Sequence, residues 1–124
     1  MKYKIPLLTI SLFLLAVALS ACGGSYYGST SWPGLAANEE YAFVAYNTNL
    51  FAVELDSGEE AWRFPEEPSA KVTFFADPVL TPDGELLVPS YDHKLYSIDP
   101  ADGSENWVFS KSTDRLIASP LVTE

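Results

Sequence analysis

Ala52-Val53-Glu54-Leu55-Asp56-Ser57-Gly58-Glu59-Glu60-Ala61-Trp62 and Ser97-Ile98-Asp99-Pro100-Ala101-Asp102-Gly103-Ser104-Glu105-Asn106-Trp107 are two settings of one pattern, 45 residues apart. In each, an apolar run enters a turn of acid, small residue and glycine, and a tryptophan follows four residues later. Glycine takes positive φ without steric cost, which suits a tight reversal between strands. Recurrence at a fixed period is the mark of a repeat architecture and is sought before any local assignment.

Sliding the chain by 45 extends the match outward. Pro33 meets Pro78, Leu35 meets Leu80, Glu40 meets Glu85, Tyr46 meets Tyr91, Leu50 meets Leu95 and Phe64 meets Phe109. Phe43-Val44-Ala45-Tyr46 and Leu86-Leu87-Val88 read as short strands, with Asn47-Thr48-Asn49 and Asp92-His93-Lys94 as polar turns after them. Leu50–Val53, Leu95–Ile98, Trp62-Arg63-Phe64 and Trp107-Val108-Phe109 supply further strands, and Thr81-Pro82-Asp83-Gly84 is a turn. No stretch after Cys22 has helical periodicity. Each unit therefore holds about four short strands over roughly 40–45 residues, the size of one propeller blade or WD40-like repeat. The units span about 32–75 and 76–117. Ser119-Pro120-Leu121-Val122-Thr123 echoes Asp77-Pro78-Val79-Leu80-Thr81 and opens a third at 118–124. The expected fold is all-β: antiparallel four-stranded blades, two and the start of another.

The signature resembles that of the pyrroloquinoline-quinone-like (quinoprotein-like) repeat, Ala-x-Asp-x-x-Thr-Gly-x-x-x-Trp. Glu54 stands for Asp, Ser57 and Asp102 for Thr, and Ser97 for Ala. The resemblance covers residues 32–124. It implies a β-propeller in which Gly58 and Gly103 make the turns, Trp62 and Trp107 pack between neighbouring blades, and all four lock blade to blade. A ligand-stacking role for the tryptophans is the rival, and it fits less well with their spacing at blade period. Closed propellers take typically 4–8 blades. The resemblance thus implies missing blades, supplied by a longer chain of which this is an N-terminal fragment or by oligomerisation.

Residues 1–21 read as an export signal. Lys2 and Lys4 precede the apolar run Ile5–Leu19, which is short for a span that needs about 20 residues. Leu19-Ser20-Ala21-Cys22 resembles a lipoprotein processing site, with lipidation at Cys22, and residues 22–31 form a Gly-, Ser- and Tyr-rich tether. An uncleaved membrane helix is the alternative. The expected location is extracytoplasmic and membrane-anchored: the outer membrane where one exists, with Gly23 resembling outer-membrane routing, otherwise the outer face of the plasma membrane.

Cys22 is the single cysteine, so the body has no disulfide framework. The formal charge of −10 becomes −12 once Lys2 and Lys4 leave with residues 1–21, which carry no acids. An acidic body repels nucleic acid. Asp56, Asp99 and Asp102 lie in turns, where carboxylates serve the local backbone. As metal ligands they lack a converging set of oxygens. His93, the single histidine, falls in a hairpin turn opposite Thr48 of the other unit. Glu39-Glu40, Glu59-Glu60 and Glu66-Glu67 read as exposed charge. No serine has a nucleophile-elbow context and there is no glycine-rich phosphate loop.

These residues assign no catalytic group, cofactor or metal. The first reading is a surface-anchored scaffold that docks partner proteins, similar to the lipoprotein subunit of the outer-membrane β-barrel assembly machinery. The alternatives are the N-terminal part of a quinone-dependent dehydrogenase and a propeller that binds carbohydrate or another small ligand.

Overall fold

The computed structural model describes residues 32–123. The export signal at 1–21, Cys22 and the tether at 22–31 lie outside the described residues. Eight strands run in chain order: β1 Gly34–Ala37, β2 Tyr41–Tyr46, β3 Asn49–Glu54, β4 Glu60–Phe64, β5 Val79–Leu80, β6 Leu86–Pro89, β7 Leu95–Ile98 and β8 Glu105–Phe109. They form two four-stranded antiparallel meanders, β1-β2-β3-β4 and β5-β6-β7-β8. Among the described residues no helix is present, and none is long and apolar enough to cross a membrane.

Successive residues of a strand point to opposite faces, so each sheet has two. In the first unit Phe43 lies opposite Ala52, and Ala45 opposite Leu50; Ala52 and Leu50 in turn lie opposite Trp62 and Phe64 of β4. These six side chains make one face. In the second unit Leu86 lies opposite Ile98, and Val88 opposite Tyr96. The two faces meet in one buried cluster of Phe43, Ala45, Leu50, Ala52, Leu86, Val88, Tyr96 and Ile98, with Phe74 between them. Burial at roughly 25 cal/mol per Å² of apolar surface makes this contact the main force joining the sheets.

Phe74 comes from the connector between β4 and β5. Its amide donates to the Asn47 carbonyl at 2.8 Å, while Tyr91 N and Ser90 Oγ donate to the Thr73 carbonyl. The connector is thereby stitched to both sheets and carries a fully buried aromatic ring into the seam. At the other end of the seam β1 and β5 come together. A side chain on Gly34 would place its Cβ 2.5 Å from the Ala76 carbonyl oxygen and 2.8 Å from Asp77 Cα. Leu35 N donates to Asp77 Oδ1, and Asp77 N donates to Ser119 Oγ, so the residue before a proline accepts a bond from the preceding unit at both junctions.

The ungapped slide of 45 fits β3 and β4 but not the whole unit. In the first unit Asn38 N donates to the Tyr41 carbonyl across Glu39-Glu40. In the second, Thr81 N donates to the Glu85 carbonyl across Pro82-Asp83-Gly84. The β2–β3 loop is Asn47-Thr48, with Tyr46 opposite Asn49, whereas the β6–β7 loop is Tyr91-Asp92-His93, closed by Ser90 N to the Lys94 carbonyl. Each of these two hairpins is one residue longer in the second unit. Ala42 therefore corresponds to Leu86, and Ala37 to Leu80. Glu40 and Glu85, Tyr46 and Tyr91 share letters without sharing positions. The bulge between Ala52 and Val53 does recur, between Ser97 and Ile98.

Candidate functional site

The two signature turns share their backbone bonding. Glu54 N donates to the Glu59 carbonyl and Gly58 N to the Glu54 carbonyl; Asp99 N donates to the Ser104 carbonyl and Gly103 N to the Asp99 carbonyl. Both glycines are left-handed, φ +74° at Gly58 and +77° at Gly103. Ser57 Oγ accepts from Glu59 N at 3.1 Å, and Asp102 Oδ1 accepts from Ser104 N at 2.9 Å. One acceptor replaces the other, which accounts for Ser and Asp at the position the repeat signature gives to Thr. The bonds from Ser104 hold the Asp102 carboxyl below its ordinary range.

The structure brings Trp62 and Gly103 together. Trp62 Nε1 donates to the Pro100 carbonyl at 3.2 Å. Its ring covers the turn so closely that a Cβ on Gly103 would sit 2.6 Å from Cε3 and 2.7 Å from Cδ2. On its other side the indole leans on Phe43, with centroids 5.8 Å apart. Phe64, two residues on, meets Tyr96 edge-on at 5.2 Å. A strand of the first unit thus delivers two aromatic rings onto the second.

Gly58 and Trp107 have no such neighbours among the described residues. Nothing lies within 4 Å of a Cβ built on Gly58. Trp107 is 40% exposed, and its Nε1 donates to the Glu85 carboxylate at 3.1 Å. Cys22 lies outside the described residues.

The other sequence candidates are dispersed. His93 is exposed at φ +70° in the β6–β7 loop. The three glutamate pairs are exposed. Arg63 forms a two-pronged pair with Glu60 at 2.6 and 2.7 Å. A cleft of about 820 Å³ runs between β4 and the Gly103 turn, bordered by Glu60, Glu66, Asp102 and Glu105. Among the described residues no group of three acids, histidines or cysteines is placed to hold a metal.

Sequence reasoning missed one polar pair. Tyr96 Oη donates to Asp92 Oδ2 at 2.6 Å, and Lys94 Nζ lies 3.7 Å from the same oxygen. Burial, then the bond to Asp92, raises the Tyr96 phenol well above its ordinary range. Among the described residues Asp92 Oδ1 is buried without a hydrogen-bond partner. The sequence carried a hint in the spacing of Asp92 and Tyr96 across a turn, but a hairpin one residue shorter would part them.

No protein-family model matches the chain. Among curated proteins it is 27% identical over 108 residues to the serine/threonine-protein kinase AfsK of Streptomyces griseus, covering 83% of this chain and 12% of the kinase. Among solved structures it is similar to BamB from Moraxella catarrhalis, with TM-score 0.53 and 18% identity, over 66% of this chain and 24% of that one. The quinohemoprotein alcohol dehydrogenase ADHIIG from Pseudomonas putida HK5 gives TM-score 0.53 and 19% identity, over 60% and 12%. The WD40 β-propeller domain of Doa1 gives 0.57 and 15%, over 68% and 28%. The chain spans a minor part of the length of each of these proteins. With these neighbours, and two four-stranded antiparallel meanders packed face to face, the described residues are all-β and have the fold of consecutive β-propeller blades.

Proposed function

We propose that this chain belongs to a membrane-anchored, extracytoplasmic lipoprotein of the quinoprotein-like repeat type, whose propeller acts as a scaffold for protein partners. The observation that carries the reading is the dock of Trp62 on the Gly103 turn. It makes two blades one body and leaves the hairpin loops at its ends for contact with other molecules. The leader ending in Leu19-Ser20-Ala21 before Cys22 supports the anchor, and the likeness in fold to BamB supports the build. In this reading Gly58, Trp62, Gly103 and Trp107 are the residues that lock blade to blade.

Two experiments test it. Cys22→Ser should move the protein from the detergent phase to the aqueous phase on detergent partitioning; retention in the detergent phase would remove the anchor. Crosslinking of intact membranes followed by affinity capture should recover a defined protein partner. Recovery of none would remove the scaffold.

A further inference from the structure

Chain direction sorts the loops to two ends of the blades. The segments after β1, β3, β5 and β7 lie at one end, and those after β2, β4, β6 and β8 at the other. At the first end Leu55 N donates to the Glu40 carbonyl; at the second Phe74 N donates to the Asn47 carbonyl and Tyr91 N to the Thr73 carbonyl. Charge divides along the same line. Residues 38–40, 54–60, 81–85 and 99–105, at the first end, hold 11 of the 17 acidic residues and none of the lysines and arginines. Residues 47–48, 65–78, 90–94 and 110–119, at the second end, set five acids against Lys71, Lys94, Lys111 and Arg115. Lys71, Lys111 and Arg115 are exposed, and none has an ion pair among the described residues. One end is strongly negative and the other is close to balance. The balanced end is also where β1 begins, with Gly34 against Ala76 and Asp77, so the chain that leads back to Cys22 leaves the body there. Trp32 stands at that exit, 83% exposed. An indole has an apolar body and a polar N–H, a combination that favours the boundary between lipid and water.

We infer that these blades stand on an anionic membrane surface by their balanced end, with Trp32 seated among the headgroups, Lys71, Lys111 and Arg115 against anionic lipid, and the acidic end directed away. The inference rests on the anchored reading of Cys22. Ten residues lead from Cys22 to Trp32, a reach of at most about 35 Å, so the end at which the chain enters is the end held nearest the anchor. The six residues of β2 make a strand about 20 Å tall. The Debye length at physiological ionic strength is about 8 Å. With the balanced end down, the acidic end therefore lies beyond most of the negative surface potential. Inverted, the same blades would press their most acidic loops into it. The charge division thus selects one of two orientations, and the exposed indole stands on the selected side.

The test uses the full lipidated chain in vesicles of equal parts phosphatidylglycerol and phosphatidylcholine. A fluorophore is carried on one introduced thiol, Thr113→Cys at the balanced end or Ala101→Cys at the acidic end, both at exposed positions. Energy transfer to headgroup-labelled lipid is expected to be several-fold higher from the first than from the second. The gap should shrink in high salt, in vesicles of phosphatidylcholine alone, and in the triple variant Lys71→Glu, Lys111→Glu, Arg115→Glu. Quenching of protein fluorescence by brominated lipid should be lost in Trp32→Ala. Equal transfer from the two positions, a gap unmoved by the triple variant, or quenching retained in Trp32→Ala each overturns the inference. A wild-type chain that enters the aqueous phase on detergent partitioning overturns the anchor and this inference with it. An anchored chain with equal transfer from both ends overturns this inference alone.

Discussion

Gly58 and Gly103 offer a controlled experiment, because they share a backbone conformation and differ in what lies above them. Alanine at either position must hold a left-handed φ, which costs roughly 1–2 kcal/mol. At Gly58 that is the whole expected cost, since nothing lies within 4 Å of the new Cβ. At Gly103 the methyl would stand 2.6 Å from the Trp62 ring, against the 3.5–4.0 Å that carbon atoms prefer. The indole must retreat by about 1 Å, straining its neighbours at roughly 1–3 kcal/mol and loosening a hydrogen bond to Pro100 worth about 0.5–1.5 kcal/mol. Gly103→Ala should therefore cost about 2–4 kcal/mol more than Gly58→Ala. Urea titrations followed by tryptophan fluorescence give the two free energies. Equal losses in the two variants would refute the claim that the Gly103 turn is a packing surface for Trp62.

Other substitutions separate the remaining contacts. Phe74→Ala should cost about 3–5 kcal/mol, a large loss for a connector residue, read from the urea midpoint. Gly34→Ala meets main-chain atoms that cannot rotate away, and should lower the thermal midpoint more than Gly58→Ala does. The Tyr96 phenol is held protonated in the native state, so its contribution is complete below about pH 10, where an unfolded tyrosine begins to ionise, and is lost as the pH rises further. Urea midpoints should fall above that pH in the wild type and fall less steeply in Tyr96→Phe. Ultraviolet titration should show a late-ionising tyrosine, and loss of that step in the variant.

Much of the fold could be read from the sequence because the information lies in turns. Gly58 and Gly103, each four residues before a tryptophan, set the period and the strand count. The same reading failed at the hairpins, and for a physical reason. The identities at Glu40 and Glu85 and at Tyr46 and Tyr91 masked an inserted residue in each loop. Because side chains alternate between faces, a one-residue slip changes which face a neighbour occupies. Glu85 thus takes the place of Tyr41, beside the tryptophan of its own blade, where the slide had set it against Glu40. Gly34 and Phe74 were silent for another reason: their roles arise only when two sheets meet, and neither belongs to the repeated signature. Which tryptophan finds which glycine was also beyond the letters, since Trp62 belongs with the glycine of the following unit.

The close approach at Gly34 has a geometric consequence. At the β1–β5 end of the seam main chain nearly touches main chain, while at the β4 end an indole and a phenyl ring stand between the sheets. A gap thin at one edge and thick at the other is a wedge, and the wedge angle fixes how many blades complete a circle. The absence of a side chain at residue 34 narrows the thin edge, and Trp62 widens the thick one. A bulkier residue at 34 would bring the sheets closer to parallel and call for more blades per turn. Circumference is in this sense set by the smallest and one of the largest side chains in the seam.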